Sequence, residues 1–292
     1  MNTSQVIQYI VSGVTLGSVY AIVALGFTTI YNVTGIINFA QGEFVMLGGM
    51  LTYWLLRSAQ LPIALSFILA ILMVTIIGLL LERFAVRPAQ KASLISLIII
   101  TIGASTFLRG IGGELWGRDA VPLPPISGEK PIGFLSAFVL PQHLWIIGIM
   151  VVLMVSLHLF LSYTLLGKAV RACAGNRYAA GLVGINVHVT SAFAFAVSAA
   201  FGAIAGIIVA PITLTSYSVG TMLGLKGFAA AVLGGLTSVP GAVLGGIALG
   251  LLESLGGGFV SSDYKDAIAF LVLFLVLFLR PQGMLGQRET KS

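Results

Sequence analysis

Residue types capable of covalent chemistry are scarce in this sequence and stand far apart. His143, His158 and His188 are its three histidines, and Cys173 is its one cysteine. None falls at a metal-ligand spacing, no nucleophile stands beside a base, and no Gly-x-x-x-x-Gly-Lys-Ser/Thr loop cradles a nucleotide phosphate. His158, alone on an apolar run, reads as a packed, hydrogen-bonded residue. Two polar constellations remain. Asn38, Gln41 and Glu43 stand among Gly42, Gly48 and Gly49 between apolar runs. Amides and a carboxylate are costly at membrane depth unless they face protein or water. They therefore border a path for a polar solute, or they mark a helix start at the interface. The second constellation is residues 163–188, which carry Lys168, Arg171 and Arg177 and no acid. The chemistry in prospect is recognition and passage, not bond making.

Those residues need apolar elements to hold them. The chain has 292 residues, 58% hydrophobic and 8% charged, against about 25% charged in soluble chains. No soluble fold hides that much apolar surface, so the sequence predicts an all-α polytopic membrane protein. The length suits one membrane domain over residues 1–292, with residues 163–188 as a loop within it. A net charge of +6 is read by position, and no nucleic-acid partner follows from it. No basic n-region precedes the first apolar run, whose first charge is Glu43, so that run is expected to be retained as a span.

In chain order, residues 6–30 are long enough to cross about 30 Å of hydrocarbon, and 31–35 break the run. Residues 36–56 read as a discontinuous or re-entrant helix. Spans follow at 63–81, 94–108 and 144–161, separated by a basic connection at 82–91 and a long polar stretch at 109–142. After the basic insert, 192–212 is a span rich in Ala and Gly. Residues 223–236 would reach only about 21 Å as a helix, and Thr237-Ser238-Val239-Pro240-Gly241 breaks them before 242–252. A last span covers 268–279. The expectation is about 8–9 transmembrane or half-membrane helices with two broken-helix units. Leu47-Gly48-Gly49 and Leu244-Gly245-Gly246 form a small echo between those units. On this reading Asn38, Gln41, Gly42, Glu43, Gly48, Gly235 and Gly245 border the solute path.

The insert is too polar to span and is rich in Ala around 171–182, with Gly175 and Asn176 interrupting. That predicts one or two short helices whose small side chains admit a close partner, or an interfacial helix on anionic lipid. Arg83, Arg87 and Lys91, then Lys168, Arg171 and Arg177, then Arg280, Arg288 and Lys291 make nine of the 15 basic residues, accompanied by Glu82 and Glu289. The positive-inside rule puts all three segments in the cytoplasm. Broken helices alone equally suit a stand-alone secondary transporter or channel. Such a protein usually carries ionisable groups inside its spans, which here read as almost uncharged. An integral membrane enzyme lacks its catalytic set.

Specific stretches carry a family resemblance. They are Gly13-Val14-Thr15-Leu16-Gly17-Ser18-Val19-Tyr20-Ala21, Ile36-Ile37-Asn38-Phe39-Ala40-Gln41-Gly42-Glu43, Glu82-Arg83 with Arg87-Pro88, and Arg171-Ala172-Cys173-Ala174 with Gly184-Ile185-Asn186. Residues 226–241 and Arg280-Pro281-Gln282-Gly283 complete them. Through these, over nearly its whole length, the chain resembles the LivH-type permease subunits of branched-chain amino acid ABC importers. Gln41 departs from a frequent His. The resemblance implies that 163–188 holds a coupling helix docking on a cytoplasmic ATPase, at Arg171, Ala172, Gly175, Asn176, Arg177, Ala179, Ala180, Gly181 and Gly184. It implies a second permease subunit (a heterologous paralogue), two ATPase subunits, a periplasmic substrate-binding protein and a bacterial inner membrane lipid setting. No cofactor is expected on this chain, ATP and Mg belonging to the partner subunits. Leu, Ile and Val are the implied substrates, with urea, amides and other amino acids as alternatives.

Overall fold

The computed structural model describes residues 3–90, 92–134, 137–259, 261–280 and 282–286. Lys91, Pro281, Arg288, Glu289 and Lys291 lie outside the described residues.

The first helix, α1 (Thr3–Thr34), has 32 residues and no charge, about 48 Å at the α-helical rise. A helix apolar on every side belongs in the centre of a bundle, and residues 19–25 are all buried. Its chief neighbour is the antiparallel α10 (Val239–Phe259). Gly13 and Gly17 face Gly246 and Gly250, so each backbone lies where a side chain would stand. A Cβ at Gly250 would fall 2.3 Å from the Gly17 nitrogen, and one at Gly246 2.5 Å from that of Ala21. Two Gly-x-x-x-Gly pairs thus set a close helix crossing.

Around α1 stand α2 (Gln41–Arg57), α8 (Val187–Thr213) and α9 (Val219–Gly234), with α5 (Pro141–Tyr163) on one side. The periphery is built differently. In α3 (Ile63–Leu81) the buried residues are Ser66, Ala70, Val74 and Gly78, one i, i+4 stripe of small side chains lying on α8. Ile68, Leu72, Ile76 and Leu80 form an exposed stripe, the outer surface expected of a helix facing lipid. A π-helical turn (Glu82–Val86) leads to α4 (Leu94–Trp116). The short α6 (Leu165–Gly175) and α7 (Arg177–Leu182) follow α5, and α11 (Lys265–Leu279) comes last. Among the described residues six helices are long and apolar enough to cross a membrane; α2, α9 and α11 are shorter, at 17, 16 and 15 residues.

Several boundaries differ from the sequence expectation. The span expected at 94–108 continues to Trp116 and ends where Gly117 takes φ +79°. Arg109 is helical with Thr221 as its partner, and Glu114 is helical on an exposed position; neither charge needs a loop. Likewise α10 runs past 252 through Glu253 to Phe259. Within the polar stretch 109–142 an antiparallel hairpin pairs β1 (Ile132–Phe134) with β2 (Ala137–Val139). The first break falls at the last residue of 31–35: α1 continues through Thr34, and Gly35 takes φ +68°.

The break itself is re-entrant. Residues 35–40 turn back along α1, so that Gln41 starts α2 beside Gly26. Gly26 lies eight residues, about 12 Å, inside the end of α1. The second break is tight, with Gly235 at φ +104° and Pro240 in the first turn of α10.

Candidate functional site

The start of α2 gathers polar groups from four elements. Asn38 holds the turn: its Oδ1 accepts the Ala40 N–H at 3.1 Å and its carbonyl accepts that of Gln41 at 3.1 Å. Thr101 of α4 accepts the Phe39 N–H at 3.2 Å. Gln41 is fully committed. Its Nε2 donates to the Ser198 carbonyl at 3.0 Å, and its Oε1 meets the Ser198 hydroxyl, which also donates to the Gly26 carbonyl at 3.0 Å. Gln41 thereby ties α2 to α8 and α1, and faces no open path in this conformation.

Glu43 is differently placed. Its Oε1 accepts from Ser105 of α4 at 2.9 Å. Its Oε2 is buried without a hydrogen-bond partner, as is Nδ2 of Asn38. Arg109, one turn beyond Ser105 on the same face of α4, donates through Nη1 to Thr221 of α9 at 2.9 Å. Gly42 closes the seam between α2 and α9. A Cβ there would lie 2.1 Å from the Gly220 carbonyl oxygen and 3.0 Å from the Gly224 Cα.

The other path candidates lie elsewhere. Gly48 rests on the backbone of Ala203 in α8, and Gly245 on Ala230 and Gly234 of α9. Gly235 abuts Gly286 and Gln282, where Met284 and Leu285 donate backbone hydrogen bonds to Leu233 and Gly234. The structure thus joins Asn38, Gln41, Gly42 and Glu43 in one site, sets Gly48 two turns farther along α2 on the α8-facing side that Gln41 shares, and gathers Gly235 and Gly245 at the far end of α9.

A second polar cluster escaped the sequence reading, which took the spans as almost uncharged. Lys226 of α9 donates to Glu253 Oε1 of α10 at 2.8 Å and lies 2.8 Å from Asp266 Oδ1 of α11. Tyr20 of α1 donates to Glu253 Oε2 at 2.8 Å and presents its ring 5.6 Å from the Lys226 nitrogen. Glu253 is 3% exposed and Lys226 8%. The available signal was the three charges themselves, each in or beside an apolar run with no neighbour of opposite sign at helical spacing.

The insert folds as two short helices. Thr164 caps α6 by accepting the Gly167 N–H, and Asn176 caps α7 by accepting that of Ala179. Ala172, Gly175, Ala179 and Gly181 are exposed, as are Arg171, Asn176 and Gly184. Ala180 turns the other way. It is buried with Cys173, Val170, Ala194 and Val33 of α1, so it belongs to the chain's own core and not to an outward face. Tyr178, Leu182 and Val183 stand out instead, at 78, 72 and 78% exposed. Arg177 is half-buried in a cleft of about 250 Å³ between the end of α1, the joint of α6 and α7, and Thr237. Burial lowers its guanidinium from the ordinary value, while Cys173 and Glu82 act to raise it. Arg87 donates to the His188 carbonyl at 3.3 Å, bringing the basic turn after α3 to the same end of the molecule.

Among the described residues no group of three or more His, Cys, Asp or Glu side chains could hold a metal. A family model described as "Branched-chain amino acid transport system / permease component" matches residues 9–277. The high-affinity branched-chain amino acid transport system permease protein LivH of Escherichia coli (strain K12) is 35% identical, covering 98% of this chain and 97% of its own. The permease protein BraD of Pseudomonas aeruginosa, from a system of the same description, is also 35% identical with the same coverage. Among solved structures, PsaBC from Streptococcus pneumoniae in complex with Fab superposes with a TM-score of 0.51 at 13% identity, over 96% of this chain and 91% of that one. At that identity the likeness is one of fold.

Proposed function

The chain belongs to the family of branched-chain amino acid transport permeases and is a multi-pass membrane permease; from this premise we propose that it forms the membrane path of an inner-membrane importer for Leu, Ile and Val. A second permease subunit completes the path, a periplasmic binding protein delivers substrate, and two cytoplasmic ATPase subunits drive it. Nucleotide and Mg reside on those subunits. The whole chain acts as one membrane domain, with residues 163–188 as its coupling loop.

The observation that carries the reading is the exposed apolar face of the basic insert. Tyr178 and Leu182 share one face of α7, Val183 extends it, and Arg171 and Lys168 lie nearby on exposed positions. An apolar patch rimmed by cations suits a protein groove lined by carboxylates. The insert rests on the end of α1 across the Arg177 cleft, and the re-entrant turn to Asn38 and Glu43 begins where α1 stops. A push on α7 therefore reaches the start of α2 through one helix end. The small residues Ala172, Gly175, Ala179, Gly181 and Gly184 let the partner come close.

Leu182→Glu tests this, because an exposed position tolerates the change in the isolated permease. The complex is purified from cells co-expressing the ATPase subunits and reconstituted with its binding protein and radiolabelled leucine. Wild type is expected to accumulate leucine with ATP, and Leu182→Glu to lose bound ATPase and fall to background uptake. ATPase retained in full by Leu182→Glu would place the insert on lipid instead. Uptake of urea or an amide in place of leucine by the wild type would reassign the substrate.

A further inference from the structure

Two opposite charges flank the seam between α2 and α9, yet among the described residues no ion pair joins them. Glu43 and Arg109 are each bound to a neutral hydroxyl, Ser105 and Thr221. Ser105 and Arg109 lie one turn apart on α4. Thr221 adjoins Gly220, whose Cβ position would be 2.9 Å from Glu43 Oε2. The carboxylate and the guanidinium therefore face the same short piece of α9 from two sides. Glu43 is 1% exposed, and its Oε2 has no partner; Asn38, wholly buried, has a free Nδ2. Leaving a buried carboxylate oxygen unpaired is costly, and the guanidinium of Arg109, one turn from the Ser105 that holds Glu43, would repay it if the two met. A site that keeps both charges but pairs neither with the other is arranged for a ligand that carries both.

At the level of Gly42 the seam holds no bulky side chain, since Gly42 meets Gly220 and Gly224 backbone to backbone. Phe39 of the re-entrant turn and Phe228 of α9, with ring centroids 5.7 Å apart, lie on the two sides of the same seam and supply apolar surface beside the polar groups.

We propose that Glu43 and Arg109 form a zwitterion-binding site, closed in this conformation and opened as α9 moves from α2. The substrate ammonium takes Glu43 Oε2, its carboxylate takes the guanidinium of Arg109 with Asn38 Nδ2, and an apolar side chain meets Phe39 and Phe228. This rests on the amino acid importer reading above and assigns its recognition groups within the membrane. It makes the permease a second sieve after the binding protein, one that reads the two charges common to amino acids.

The test uses the purified permease–ATPase complex without binding protein, assayed with and without a non-hydrolysable ATP analogue so that the closed and the opened states are both sampled. Leucine binding is measured in competition with 4-methylpentanoate, which lacks the ammonium, and isoamylamine, which lacks the carboxylate. Each charge-assisted bond contributes enough that either analogue is expected to bind about tenfold or more weaker than leucine. Glu43→Gln, which keeps the Ser105 bond, is expected to narrow the gap between leucine and 4-methylpentanoate alone. Arg109→Gln is expected to narrow the gap to isoamylamine alone. A merely structural role would weaken all three ligands together. Unchanged discrimination in both variants, or no leucine binding to the wild-type complex, overturns the site. Leucine uptake by the fully reconstituted wild type is measured in parallel. If it persists, the importer reading stands although the site has failed; if it is absent, the importer reading has failed as well.

Discussion

Gln41 commits both ends of its carboxamide to Ser198, whereas Glu43, two residues on, keeps one oxygen free. The difference predicts opposite mutational behaviour. Gln41→Leu removes both buried hydrogen bonds to Ser198 and should cost about 1–3 kcal/mol, read as a lower melting temperature of the purified permease. Glu43→Gln keeps the Ser105 contact and should change stability much less. Equal melting temperatures for the two variants would mean that Gln41 is not a tether. Asn38, Gln41 and Glu43 were legible in the sequence because amides and a carboxylate interrupt an apolar run. Ser105, Ser198 and Thr221 were not. A hydroxyl in a membrane helix usually bonds the carbonyl four residues back, as Thr15 and Ser18 do, so its type does not announce a distant partner. Ala180 is ambiguous in the sequence for a related reason, since small size suits both a docking surface and a tight core.

Helix ends were legible where local chemistry sets them. Asn176 and Gly175 mark the joint of α6 and α7, and the break between α9 and α10 falls among Gly235 and Pro240. They were missed where a charge was taken for a boundary, at Arg109 and Glu253, because both are stabilised by residues of other helices. Lys226 shows what such partners hold together, since it ties α9 to α10 and α11 while Tyr20 brings in α1. Removing one member of a buried ion pair leaves the others unpaired, at a cost of about 3–5 kcal/mol. Lys226→Met should therefore sharply reduce folded permease in the membrane, the buried Glu253 being left without its cation and the half-buried Asp266 without its partner. The triple variant Lys226→Met, Glu253→Gln, Asp266→Asn should recover much of the loss. Recovery by the triple variant identifies a mutual charge requirement, whereas equal loss would mean that packing by the lysine chain is what matters.

At the scale of the molecule, the number of helices and the polytopic class followed from composition and run length. A re-entrant helix over 36–56 was legible as well, but the depth at which α2 restarts beside α1 was not, because it depends on Gly26 and Gly202 opening space for Gln41. The two ends of the bundle nevertheless differ in a manner that charge alone reveals. At one end lie Arg83, Arg87, Lys168, Arg171 and Arg177, joined by the Arg87–His188 contact and the Arg177 cleft. At the other, α1 begins beside the hairpin, with Gln8 exchanging two hydrogen bonds with Phe138, and Val121 pairs with Thr215. The charges there, Arg118 and Lys130 against Asp119 and Glu129, are mixed. The positive-inside rule counts basic residues in short loops beside spans, and it predicts the insert in the cytoplasm and the hairpin outside. The structure supplies positions suited to a test, since Lys168 and Lys130 are both exposed. In a Cys173→Ser background, a cysteine at Lys130 should react with an impermeant thiol reagent added to the periplasmic side. A cysteine at Lys168 should react only after the membrane is opened. Because residues 168 and 130 lie beyond opposite ends of α5, reaction of both from one side would mean that α5 does not cross. Reversal of the two would turn the molecule over and put the exposed face of α7 out of reach of any cytoplasmic ATPase.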